Sequence, residues 1–84
     1  NPHEYLYLKG YCKDQFNNSI RCETFDEAIE LANAYGEGCG GITKTDIQGY
    51  GIRYELRTGS ELRKTFHKSK PNHIHEGLVS WVKE

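Results

Sequence analysis

Residues 24–41 read TFDEAIELANAYGEGCGG, and this stretch constrains the fold more than any other. Thr24 with Glu27 three positions later is a capping box, in which the threonine hydroxyl takes a backbone N–H of the first turn. Phe25, Ala28, Ile29, Ala32 and Tyr35 then recur at helical spacing. Gly36 follows as the residue that can turn left-handed and stop the helix. The pattern predicts a helix over 25–35 with an apolar stripe to bury. A lone helix needs a sheet to cover that stripe, so the rest of the chain is read for strands.

Glu4–Cys12 alternates Tyr5 and Tyr7 with Leu6 and Leu8, a tyrosine-rich first strand, and 13–19 is a polar, Asn-rich loop. After the glycines, 41–45 is a short strand and 46–49 a turn. Residues 50–57 alternate, with Tyr50, Ile52, Tyr54 and Leu56 on one side and Gly51, Arg53, Glu55 and Arg57 on the other. The first side is expected in the core and the second in solvent. Thr58-Gly59-Ser60 turns the chain so that 61–66 can pair back, 67–77 is a long polar loop, and 78–83 is a closing strand. The expected class is α+β: one helix packed on an antiparallel sheet, in one domain over residues 1–84.

Core material is thin. Leu, Ile, Val and Phe total 17 of 84 residues, and a chain this short buries only about 60–65% of its unfolded surface. Staples, either disulfides or neighbouring chains, are therefore expected. Lysines and arginines (11) balance aspartates and glutamates (12) without forming runs, which argues against nucleic acid as a partner. No apolar stretch approaches the roughly 20 residues that span a membrane, so no membrane insertion is expected. The chain begins Asn1-Pro2, as after removal of a leader or in a recombinant fragment. Three cysteines and no methionine favour an oxidising, secreted or extracellular location. Asn17-Asn18-Ser19 is a glycosylation sequon that fits that setting.

The glycines around Cys39 invite a chemical reading, which fails on polarity. A phosphate loop needs glycines ahead of a helix, with a lysine and a hydroxyl. Here they follow the helix, at the negative end of its dipole, next to Glu37. The same surroundings disfavour a nucleophilic thiolate at Cys39. A structural disulfide fits better, and Cys12, Cys22 and Cys39 are the candidates, with Cys39 favoured as one partner because its glycines allow close backbone approach. Cys22–Cys39 would join the ends of the helical segment, and Cys12–Cys39 would pin the first strand; spacing does not rank them. The odd cysteine is then free or joins two chains. His73 and His75, with His67 or Glu76 nearby, match no zinc spacing, so neither a metal nor any other cofactor is expected. No catalytic set declares itself, and an enzyme is not expected.

Aromatics at Tyr5, Tyr7, Tyr11, Tyr50, Tyr54 and Trp81 fall on strands or their ends. They are read first as sheet packing, with a share available for recognition. Arg53, Glu55 and Arg57, on the polar side of their strand, and His73 and His75, in the loop, are the candidate ligand contacts.

A helix ending in Gly-x-Gly-Cys-Gly-Gly-Ile-Thr, followed by Gly49-Tyr50, Tyr54-Glu55-Leu56-Arg57-Thr58-Gly59 and a terminal Ser80-Trp81-Val82-Lys83, resembles the PAN/apple-like modules. The resemblance runs from Cys22 to Lys83 and fits poorly over 67–75. Typical members carry helix cysteines that bridge to the next strand, and this helix has none, so their disulfide framework does not transfer. The resemblance implies a non-catalytic extracellular module that binds protein or carbohydrate, here through a sheet face or the 67–77 loop. A second expectation is a structural subunit of an extracellular fibre or matrix, self-associating by strand addition and an intermolecular disulfide. Its motivation is the thin core, the odd cysteine and the strand-like ends.

Overall fold

The computed structural model describes residues 2–4, 6–47, 49, 51–64 and 75–84, without the side chains of residues 47 and 75–78. The helix α1 spans Phe25–Tyr35, and Thr24 accepts the Glu27 N–H as its cap. Gly36 ends it at φ 85°, donating its N–H to Ala32 O. No basic residue lies in the last turn; instead Lys83 reaches back from the far end of the chain. Its Nζ donates to Ala32 O at 2.8 Å and Gly36 O at 2.7 Å. A cation thus meets the negative end of the helix.

Among the described residues, seven strands accompany the helix: β1 His3–Glu4, β2 Leu6–Leu8, β3 Arg21–Cys22, β4 Gly41–Ile47, β5 Gly51–Arg57, β6 Leu62–Lys64 and β7 His75–Val82. Five form an antiparallel sheet in the order β1-β7-β4-β5-β3, and β2 pairs with β6 separately. The α+β class expected from the sequence is therefore present. The closing strand starts earlier than 78, β4 runs past 45, and the two-residue strands β1 and β3 were not expected.

The helix covers one sheet face. Ala28, Ala32, Ile42 and Leu56 are buried there with Cys12, Cys22 and Cys39, and Phe25, Tyr54 and Trp81 pack their rings against them. Ile52, on the same side of β5, projects past this core and is 45% exposed. The opposite face is the surprise. Register aligns Ser80, Thr43, Glu55 and Arg21 in one row across β7, β4, β5 and β3. Thr43, Thr45, Glu55, Arg57 and Ser80 are all buried.

The reason is β2, which lies across this face instead of extending the sheet edge. A strand laid on a sheet desolvates its own peptide groups, and each needs a partner. Leu8 N–H donates to Thr43 Oγ1 at 3.1 Å, Thr43 and Ser80 hydroxyls bond at 2.9 Å, and Ser80 Oγ donates to Leu6 O at 2.7 Å. Since the Ser80 proton goes to a carbonyl, Thr43 must be the donor to Ser80. The relay therefore runs one way, from Leu8 N–H through both hydroxyls to Leu6 O. Beside it, Leu8 drops into the space above Gly41, where a Cβ would collide with Leu8 Cδ1 and Trp81 O. A Cβ at Gly40 would collide with Gly59 O. The glycines after the helix are thus required by close crossings.

Thr43→Val and Ser80→Ala should each lower unfolding free energy by about 1–3 kcal/mol, because each orphans buried groups. The double variant should cost less than the sum, by roughly 0.5 kcal/mol or more. Urea unfolding of the four proteins measures this coupling.

Candidate functional site

The row Arg53, Glu55, Arg57 was expected in solvent as a ligand-contact surface, and the structure corrects this. Glu55 and Arg57 are each 1% exposed, and Arg53 is half-buried with Nη1 donating to its neighbour Ile52 O at 2.8 Å. Glu55 holds a guanidinium on each oxygen, Arg21 Nε on Oε2 and Arg57 Nη2 on Oε1. Arg57 also donates to Leu8 O, and the Tyr11 ring stands 4.3 Å from its guanidinium carbon. One carboxylate between two cations is a structural clasp: it fixes the strand above it and, being buried, is shut away from solvent.

His73 and the segment 65–74, which holds most of the expected loop, lie outside the described residues. His75 starts β7 opposite Asp46, and its side chain is likewise outside the description. Among the described residues, no three His, Cys, Asp or Glu side chains are grouped as metal ligands. Among the described residues, no helix is long and apolar enough to cross a membrane.

Asn17 sits at the apex of a tight hairpin. Asp14 Oδ1 takes the N–H groups of Phe16 and Asn18, Asp14 O takes the Asn17 N–H, and Lys13 pairs with Ser19. Asn17 adopts φ 65°, and Phe16 beside it is 74% exposed. The sequon is thus presented on an ordered turn. Sequence inspection found Asn17 but not Phe16, because an aromatic in a polar loop gives no periodic signal.

The cysteines are three buried thiols. Burial, then the neighbouring Cys39 and a hydrogen bond to it, push Cys12 up to about 12. Burial and the nearby Glu27 carboxylate push Cys22 up to about 11. Neither is a nucleophile near neutral pH.

Among the described residues, a broad, open depression of about 460 Å³ lies beside Gly36, Cys39, Thr58 and Lys83, and two further surfaces bear on binding. A cleft of about 170 Å³ between α1 and β7 is lined by Phe25, Ile29, Ala32, Ile42, Trp81 and Val82. It is smaller than the roughly 300 Å³ at which ligand pockets begin. The second is the sheet edge. β7 has 8 residues, yet among the described residues β1 pairs with it only at Val79 and Ser80, after which the chain leaves the edge to cross the face as β2. Among the described residues, no strand pairs with the rest of β7 on that side, and such an edge is of the kind that accepts another strand.

The importance of the buried clasp is measurable. Glu55→Gln should destabilise by about 3–5 kcal/mol, since the buried Arg57 guanidinium loses its counter-charge. Arg21→Ala should cost about 1 kcal/mol or less, its side chain being 42% exposed. Denaturant unfolding gives this order; equal costs would contradict it. Comparison with family models, curated proteins and solved structures finds no match for this chain.

Proposed function

We propose that this is a non-catalytic extracellular module, apple-like in design, that binds a protein partner by taking an extended segment onto the edge of β7. The observation that carries the reading is the mismatch between an 8-residue strand and its short cover at Val79 and Ser80. Much of each sheet face is covered, one by α1 and the other by β2, which leaves a ligand seated flat on the sheet little more than the end around Asp46 and Ile52. Strand addition supplies affinity through main-chain hydrogen bonds and needs no pocket larger than a side chain. The cleft beside Trp81 is of that size. This geometry favours a polypeptide over a carbohydrate as the ligand.

A second reading has the partner as another copy of the chain, in a fibre or matrix. It is favoured by the opposite edge, where, among the described residues, β3 covers β5 at Tyr54 and Glu55 and Ile20 and Cys12 bond Leu56, leaving 51–53 without a strand partner. Two different open edges can pair head to tail, and such contacts propagate. Chain-to-chain disulfides are not part of this reading, because all three thiols are buried.

Peptides selected from a random display library on the immobilised chain test the first reading. Their binding should shift the amides of residues 75–82 and slow their hydrogen exchange. Binders that perturb only α1, or an exhaustive selection that yields none, would overturn it. Sedimentation velocity over a wide concentration range tests the second: growing oligomers support it and a monomer throughout refutes it.

A further inference from the structure

We infer that Cys12 and Cys39 are a disulfide pair, closed as the chain folds in an oxidising compartment, and that Cys22 remains a buried thiol. The inference rests on the proposed extracellular location for its oxidising compartment and is independent of strand addition.

Register on β5 separates the possible pairings. Cys22 lies opposite Tyr54, whereas Gly41 lies opposite Arg57. Three residues of strand are about 10 Å, and Cys39 lies beyond Gly41 in the same direction. A disulfide joins Cα atoms no more than about 7 Å apart, so Cys22–Cys39 would require the sheet to slip. Cys12 and Cys22 are two residues apart in level, with Cys12 N–H on Leu56 O. That alone spans about 7 Å before any sideways separation is added.

Cys12 and Cys39 meet at the same end of β5. Cys12 N–H bonds Leu56 O at 3.0 Å, and Gly40 N–H bonds the next carbonyl, Arg57 O, at 2.7 Å. Cys12 Sγ lies 4.0 Å from Gly38 O, the residue before Cys39. The two thiols are neighbours, not covalently bonded to each other, with Cys39 Sγ donating to Gly41 O at 3.4 Å. Gly38 and Gly40 flank Cys39 and leave its backbone room to adjust.

The oxidant is a small-molecule disulfide such as oxidised glutathione. A cysteine thiolate attacks one of its sulfurs and expels a glutathione thiolate. The second cysteine thiolate then attacks the mixed disulfide and releases the other glutathione. Two protein thiols lose two protons and two electrons, and one glutathione disulfide becomes two thiols. Burial and the neighbouring thiol keep Cys12 protonated in the folded protein, so closure belongs to the folding chain and is slow once the core has formed.

Refolding the full chain in a glutathione redox buffer, trapping with a thiol reagent and mapping by mass spectrometry tests the pairing. Trypsin isolates Cys12 in Gly10–Lys13 but leaves Cys22 and Cys39 together in Cys22–Lys44, so a second cleavage after Glu37 is needed. The expected product is Gly10–Lys13 linked to Gly38–Lys44, with Cys22 alkylated only under denaturant. Reduction should lower Tm by roughly 10–20 °C, and Cys22→Ser should keep the link. A bond to Cys22, or a folded protein in which all three thiols are alkylated, would overturn the inference. Because the buffer sets the redox conditions, such a failure would be one of pairing geometry and not of cellular location.

Discussion

The structure depends on how β2 is held over the sheet. A strand crossing a sheet face cannot use the ladder that would satisfy it at an edge, and its peptide groups are shut away from water. This chain answers with side chains drawn from three strands: the Thr43–Ser80 relay between Leu8 N–H and Leu6 O, and Arg57 on Leu8 O. Each partner is needed because each peptide group is already desolvated. Arg57 in turn needs Glu55, and the second oxygen of Glu55 is met by Arg21 at the edge. A small apolar core on the helix face is thus complemented by a polar second layer, and Leu8 seated over Gly41 joins the two.

That arrangement directs where function can lie. Glu55 and Arg57, which would make a polar surface on an open sheet, are here internal, so the proposed recognition is placed at the sheet edge. Among the described residues, the same excursion of the chain onto the face leaves β7 short of an edge partner after Val79. Covering one surface and opening another are a single topological event.

The helix was legible because its signals are local. Thr24, Glu27 and Gly36 act within a turn of their own positions, and the structure places the helix over the expected residues. The alternation of β5 was legible too, but its polarity misled. A strand with Glu55 and Arg57 on one side reads as half-solvated, and only a distant segment, Leu6–Leu8, turns that side into an interior. Nothing in residues 50–57 themselves signals the covering strand. The glycines around Cys39 were correctly read as serving geometry, since Gly40 and Gly41 are needed for chain crossings. What they cross was not readable from their own neighbourhood. Strands of two residues, such as β1 and β3, are too short for a period to show.

Buried partners of this kind should lock β2 to the sheet as firmly as the sheet is locked to itself. Native-state hydrogen exchange at the Leu8 amide tests this most directly, because that N–H donates to the Thr43 hydroxyl and not to a strand ladder of the main sheet. Leu8 is expected to exchange only through global unfolding, with the same opening free energy and denaturant dependence as the β4 and β5 amides. Exchange of Leu8 by local opening, while β4 and β5 stay protected, would contradict it.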